Sequence, residues 1–290
     1  MNTMRESFGR IKKRPIILIF LAVMVLALCV LEQFNSFTKE FGSLKVLTEH
    51  SYLGVLSELA QKIKGLAATP GLMAISVLVA LLFLLAVSAI LGILNAGYAQ
   101  TFYLAAADQK KKKGDFKSGI NRHFLKLTFY IFFAILLSVV FFVLLLYTAV
   151  PAVMTIKLLL EGDSGVIFQM LLLCILTVAV IFFAVVFYTM YLSFLLPSLV
   201  GFKRGGVVVA FRMVNGYCWY LIPRTLLFLL IMLAWQTALL AMGYGSGSVG
   251  MGILVLCLNW IVKLFAFFFY LYFVFSTFLA MKDDMFAEDA

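Results

Sequence analysis

The sequence predicts an all-α polytopic membrane protein with six transmembrane helices. Of its 290 residues, 64% are apolar, and the mean hydropathy is +1.11, which exceeds the apolar content of ordinary soluble domains. Six apolar stretches are long enough to cross a hydrocarbon core that is about 30 Å thick. The basic residues are concentrated in alternate connections between these stretches. Together these observations predict a single integral membrane domain that spans residues 1–290.

The apolar stretches are predicted to be helices because lipid offers no hydrogen-bond partners to the backbone. Each amide must then be satisfied within its own segment. A transmembrane barrel would instead require short segments with alternating polar and apolar residues, and residues 132–147 do not alternate. The predicted spans are residues 15–31, 72–94, 127–149, 166–196, 221–242 and 251–281.

The distribution of lysine and arginine predicts how the chain is threaded. The N-terminal segment, the second and fourth connections and Lys282 together hold 17 basic residues, whereas the other side holds five. By the positive-inside rule, both termini are then cytoplasmic. The first span resembles a signal peptide in its basic flank, but its longer apolar run favours an uncleaved helix.

A similar pattern occurs three times along the chain, as a basic entry stretch, an outgoing helix and a long returning helix. The entry stretches are residues 8–14, 116–126 and 211–224. Apolar residues recur at helical spacing in the second of them, which predicts an amphipathic helix lying in the interface. A threefold repeat and a chance similarity between hairpins both remain open.

The returning helices are predicted to be longer than the bilayer is thick, so they must tilt, break or extend beyond it. Residues 95–97 and Pro197 are the expected break points. In the second span, Ser88, Ala89, Gly92 and Ala96 are small enough to allow a neighbouring helix to approach closely.

Charged residues inside a span indicate function, because a charge at mid-bilayer costs at least about 2.5–3.5 kcal/mol. All carboxylates, including Glu32 after the first span, are assigned to connections or tails, which argues against a cation-coupled transporter. The exception among basic residues is Lys263, and Asn259 lies four residues before it on the same helical face. This candidate polar pair either binds an anionic substrate or headgroup, or lies near the outer interface where Lys263 snorkels. The sequence favours the second interpretation.

The net charge of +10 is interpreted as attraction to anionic headgroups, to which each basic residue contributes about 1 kcal/mol near the surface. No nucleic-acid module is recognisable. The candidate contacts with anionic lipid lie in the second and fourth connections: Lys110, Lys111, Lys112, Lys113, Lys117, Arg122, Lys126, Lys203, Arg204 and Arg212.

No pattern in the sequence indicates catalysis. His50 and His123 lack the neighbouring nucleophile or carboxylate of a catalytic set, and the four cysteines lack the paired spacing of a zinc site. We therefore expect no enzymatic activity, no catalytic residues, no cofactor and no metal. On the outer side, the pattern predicts an amphipathic helix over residues 51–65 and a glycine-rich turn over residues 243–250.

Residues 114–127 and 206–221 resemble a broad group of six-helix bacterial membrane proteins. This group includes the membrane domain that is fused to some glycerophosphodiester phosphodiesterases, and related uncharacterised inner-membrane proteins. The resemblance implies a helical bundle in the plasma membrane without catalytic residues. A phosphodiesterase domain is absent from this sequence, and the first outer connection is more polar than in the group. The matching motif positions are Gly216, Trp219 and Leu221.

The favoured function is a non-enzymatic membrane protein that organises or binds anionic lipid, or partner proteins, at the cytoplasmic leaflet. The expected location is a plasma membrane, specifically a bacterial inner membrane. The alternative is a transport permease, either alone or as the membrane subunit of an ABC-type exporter whose ATPase binds residues 116–126. A membrane enzyme acting on lipids is the least favoured function.

Overall fold

The computed structural model describes residues 14–34, 70–110, 112–162, 164–241 and 249–287. These residues form helices joined by short connections, and no strand occurs among them, so the all-α prediction is confirmed for this part of the chain. The predicted outer helix over residues 51–65 and most of the turn over residues 243–250 lie outside it. The α-helices are α1 (Pro15–Phe34), α2 (Pro70–Ala106), α3 (Asp115–Leu160), α4 (Ile167–Ile181), α5 (Tyr188–Gly201), α6 (Gly206–Gly216), α7 (Cys218–Ala241) and α8 (Val249–Ala287).

Within the described ranges, six helices are long and apolar enough to cross a membrane. They are α1, α2, α3, α7, α8 and the continuous helix formed by α4 and α5, and each overlaps one predicted span. The chain is therefore a multi-pass membrane protein. With 46 residues, α3 is about 68 Å long, more than the roughly 40–45 Å of a whole bilayer. Its ends must tilt away from the membrane normal or project beyond the headgroups.

The predicted entry stretch over residues 116–126 is not a separate interfacial helix. It forms the first turns of α3, which begins at Asp115 and continues without interruption into the span. The hydrogen bonds of a helix run within the helix, so the membrane surface does not require a break. The stretch over residues 211–224 is instead divided between α6 and α7, with a turn at Tyr217. Of the first stretch, only Arg14 lies among the described residues.

The predicted break points are wrong. Helix α2 is continuous through residues 95–97, where the Asn95 side-chain amide donates to the Leu91 carbonyl of its own helix at 2.9 Å. Helix α5 is continuous through Pro197. The irregularity lies earlier, at the π-helical segment Phe182–Phe187 between α4 and α5. The proposed threefold repeat stays a prediction.

Helices α2 and α3 pack closely because glycines remove side chains from their contact. A Cβ atom on Gly92 would lie 3.0 Å from the Cα of Thr128, and one on Gly119 would lie 2.7 Å from the Ala96 carbonyl oxygen. Real Cβ atoms essentially never come as close as 2.7 Å to another heavy atom, and few come as close as 3.0 Å. The prediction that Gly92 and Ala96 allow close helix approach is confirmed.

Helix α1 packs along α8 at the other end of the chain. Its buried stripe consists of Ile17, Leu21, Val25 and Cys29, which recur every four residues and therefore share one face. The Trp260 indole of α8 donates to the Ala22 carbonyl of α1 at 2.8 Å. The first and last described helices are thus neighbours, which the order of the chain does not indicate.

Burial is unevenly distributed along the bundle. Large side chains such as Phe102, Phe194, Phe275 and Phe278 are fully buried towards the ends of α2, α5 and α8 that adjoin the basic connections. Over residues 73–83, by contrast, every side chain of α2 is exposed, and nearly all are apolar. In a membrane this part of α2 would contact lipid rather than protein.

Candidate functional site

The basic connections meet at one end of the bundle. Arg14, before α1, donates to the Gln109 carbonyl and lies 3.6 Å from the Asp115 carboxylate at the start of α3. Its side chain is buried, so this contact fixes the start of α1 against the second connection. We call this end of the bundle the basic end.

The fourth connection and the end of α8 join the same cluster. Lys282 of α8 contacts the Tyr103 hydroxyl at 3.4 Å, and its ammonium lies 5.3 Å from the ring centroid of Phe202, which follows α5. A Cβ atom on Gly201 would lie 3.1 Å from the same tyrosine ring. The segments that the charge distribution assigns to one side are therefore contiguous in space.

The candidate lipid contacts differ in their accessibility. Lys126 is half-buried and Lys111 lies outside the described residues. No ion pair joins the other eight to a described carboxylate. These eight are exposed at the basic end: Lys110, Lys112, Lys113, Lys117, Arg122, Lys203, Arg204 and Arg212.

Lys126 has a different role from the predicted lipid contact. Its ammonium donates to the carbonyls of Phe202 and Lys203, at 3.2 and 2.7 Å. These carbonyls follow the C-terminus of α5, where helices leave acceptors unsatisfied and a cation is favourable. The side chain therefore joins α3 to the turn between α5 and α6.

Helix α6 folds back along the end of α5. The Ser198 hydroxyl donates to the Gly206 carbonyl at 2.6 Å near the start of α6, and the Tyr191 hydroxyl donates to the Asn215 side chain near its end. Gly205, with a φ of 73°, makes the left-handed turn between the two helices. The fourth connection is therefore a helical hairpin rather than a flat interfacial segment.

Helix α6 carries exposed apolar residues. Val207, Val208 and Phe211 are all exposed, although the Phe211 ring also packs against Tyr191 of α5, and Trp219 at the start of α7 is 90% exposed. Tryptophan favours the level of the headgroups in membrane proteins. This exposed apolar surface lies beside Arg204 and Arg212, so hydrocarbon and headgroup contacts are available side by side.

A second polar cluster joins three helices. Lys263 of α8 is 4% exposed and forms an ion pair with Glu32 near the end of α1. Asn259 donates to the same carboxylate at 3.2 Å, and the Trp235 indole of α7 donates to the Asn259 side-chain oxygen at 3.1 Å. Opposite charges and satisfied polar groups reduce the cost of burying this lysine.

This cluster corrects two expectations from the sequence. Glu32 lies in α1 and not in a connection, and its carboxylate is directed towards Lys263. Lys263 does not snorkel to the surface, because its side chain is buried. Its charge is also neutralised by Glu32, which removes the free cation that binding of an anionic substrate would require. Asn259 and Lys263 are thus joined through a carboxylate.

His123 and the four free cysteines are further candidates for chemistry among the described residues. His123 is buried within α3 rather than in an interfacial turn, and neither ring nitrogen has a hydrogen-bond partner among the described residues. In the same part of the chain, no three His, Cys, Asp or Glu side chains are grouped as metal ligands would be. Cys29 is buried, whereas Cys257 is exposed.

No family model, curated protein or solved structure matches this chain. The resemblance to the membrane domain that is fused to some phosphodiesterases therefore stays a prediction. Any functional assignment depends on the chemistry of the basic end and of the Glu32–Lys263 cluster.

Proposed function

We propose that this chain is a non-enzymatic integral membrane protein that binds and organises anionic lipid at the cytoplasmic leaflet of a plasma membrane. A bacterial inner membrane is the location that this proposal implies. The observation that carries the proposal is the group of eight exposed basic residues at the basic end. They lie beside exposed apolar side chains of α6, which suit a surface that contacts both headgroups and acyl chains.

The exposure of these cations favours a ligand outside the protein. The internal bonds at this end are made by Arg14, Lys126 and Lys282, whereas the exposed residues remain available. A soluble acidic partner would satisfy the same charges, but it would leave Val207, Val208 and Trp219 in contact with water. An anionic lipid contacts the basic residues through its headgroup and the apolar side chains through its acyl chains.

Neutralising the eight exposed basic residues to glutamine is expected to abolish a preference for phosphatidylglycerol over phosphatidylcholine. Each charge contributes about 1 kcal/mol near an anionic surface, so the loss should be several-fold even after screening by salt. Native mass spectrometry of the full chain, with equimolar amounts of the two lipids, measures the preference directly.

The matched control is a variant with four lysines of the opposite side, Lys39, Lys45, Lys62 and Lys64, replaced by glutamine. It should keep the preference of the wild type, because these residues are predicted to face the other leaflet. A wild-type protein that retains both lipids equally would refute the proposed function.

Transport is a second candidate because Glu32 lies within a membrane-spanning helix. The sequence argument against coupled transport assumed that no span contains a carboxylate, and ionisable residues within spans often mark transport pathways. If Glu32 carries protons, full-length protein in liposomes should conduct protons into a vesicle containing a pH-sensitive dye, and Glu32→Gln should abolish that flux. Equal flux for the two proteins would remove this candidate.

A further inference from the structure

We infer that Arg122, Lys203 and Arg204 form one headgroup site for an anionic glycerophospholipid, held in place by Lys126. This inference rests on the proposed function, and it locates the binding of anionic lipid at these three residues. Arg122 lies in α3, whereas Lys203 and Arg204 lie in the turn between α5 and α6. The bond between Lys126 and Lys203 joins these two segments, which are 77 residues apart at that contact.

Lys126 brings the two connections together. Its ammonium reaches the carbonyls of Phe202 and Lys203 from α3. Arg122 lies four residues earlier on the same face of α3, which is the face from which Lys126 reaches the turn that carries Lys203 and Arg204. All three side chains are exposed, and no ion pair with a described carboxylate neutralises them.

The chemistry of this group matches a phosphodiester headgroup. Arginine binds phosphate oxygens through two parallel hydrogen bonds, which gives geometric selectivity as well as charge. Two arginines and a lysine around one turn therefore suit a single lipid phosphate better than the consecutive lysines at positions 110–113. The position of Lys203 is set by a folded turn whose carbonyls Lys126 binds.

The acyl chains have an apolar surface next to the same turn. Val207 and Val208 lie three and four residues after Arg204 in the first turn of α6, and Phe211, which is also exposed, lies one turn later. A lipid whose phosphate contacts Arg204 can place its hydrocarbon along these residues. The opposite face of α6 packs on α5, and the Phe211 ring also contacts Tyr191 of α5, so Val207 and Val208 are the side chains that leave the most room for hydrocarbon.

In this arrangement Lys126 is a positioning residue. Its ammonium is engaged by the two backbone carbonyls, and it acts by holding the turn beside Arg122. Arginine at position 126 can donate to the same carbonyls, whereas methionine is one heavy atom shorter, keeps an unbranched apolar stem and cannot donate.

The test compares phosphatidylglycerol retention for two triple variants of the full chain by native mass spectrometry with equimolar phosphatidylcholine. Arg122→Gln, Lys203→Gln and Arg204→Gln together should lower the preference for phosphatidylglycerol at least fivefold. The comparison variant, Lys110→Gln, Lys112→Gln and Lys113→Gln, removes the same charge from the diffuse part of the basic end and should lower the preference by a clearly smaller factor. All six side chains are exposed, so both proteins should fold.

Lys126 is tested in the same measurement, together with the thermal unfolding midpoint. Lys126→Met should lower the preference as the first triple variant does, and Lys126→Arg should restore it at an unchanged midpoint. Equal losses for the two triple variants would overturn the site while leaving the proposed function intact, since the charge would then act diffusely on the lipid. Absence of any preference in the wild type would instead refute the proposed function itself.

Discussion

Replacing Glu32 with glutamine is expected to destabilise the protein by about 2–4 kcal/mol, because it leaves the buried ammonium of Lys263 without a counter-charge. Removing one partner of a buried ion pair typically costs about 3–5 kcal/mol, and the carboxylate here is 33% exposed, which lowers the expected loss. Glutamine still accepts a hydrogen bond from Asn259, so the change isolates the charge. The free energy of unfolding of the full chain in mixed micelles measures the effect.

A double variant shows whether the loss of stability comes from breaking the Glu32–Lys263 ion pair or from any change at position 32. Glu32→Gln combined with Lys263→Met removes both charges and nearly preserves volume, so it should recover most of the lost stability. Asp284→Asn, at an exposed position of α8, serves as a control and should change stability by less than about 0.5 kcal/mol. If the double variant is as unstable as the sum of its two single variants, the charges are not coupled.

Replacing Gly92 with leucine is expected to separate α2 from α3 and to cost at least about 3 kcal/mol. A Cβ atom alone would lie 3.0 Å from the Cα and 3.1 Å from the amide nitrogen of Thr128, so backbone must move rather than a flexible side chain. Overpacking of this kind typically costs about 1–3 kcal/mol and occasionally more. Helix propensity alone predicts the opposite sign, a gain of roughly 1 kcal/mol for replacing glycine.

Gly71 on the same helix provides the matched control. Nothing lies within 4 Å of a Cβ atom placed there, so Gly71→Leu should change the unfolding free energy by less than about 0.5 kcal/mol. Thermal unfolding of the two variants in the same detergent compares them directly. Equal midpoints for Gly92→Leu and Gly71→Leu would contradict the close packing of α2 and α3.

The six spans could be predicted because their signal is local. Twenty apolar residues in succession determine a membrane helix without knowledge of any other part of the chain. The helix ends could not be predicted equally well. Lys117 and Arg122 suggested a boundary before residue 127, but polarity marks the membrane surface and not the end of the hydrogen-bonded helix, which begins at Asp115.

The Glu32–Lys263 pair shows what a single sequence leaves out. Its partners are 231 residues apart, and no local pattern relates the end of the first span to the middle of the last apolar run. One signal was nevertheless present. A lysine within an apolar run requires a counter-charge, and Glu32 directly follows a predicted span. Because the predicted span ends at residue 31, Glu32 was assigned to a connection and was not considered as the partner of Lys263.

The role of Lys126 left no such signal. Its acceptors are backbone carbonyls after the end of α5. Every residue has a backbone carbonyl, so the residue types do not reveal which carbonyl accepts a bond. The sequence therefore grouped Lys126 with Arg122 and Lys203 as equivalent basic residues. The structure alone shows that Lys126 holds the turn in place, whereas Arg122 and Lys203 are exposed to solvent or lipid.

Cysteine accessibility in intact cells and in inverted vesicles tests the threading of the chain most directly. The four native cysteines are first replaced by serine, and single cysteines are then placed at Lys112, Lys203 and Glu161 for labelling with a membrane-impermeant maleimide. We expect Glu161→Cys to react in intact cells, and Lys112→Cys and Lys203→Cys to react only in inverted vesicles. Labelling of Lys112→Cys and Glu161→Cys from the same side would show that α3 does not cross the membrane and would contradict the account.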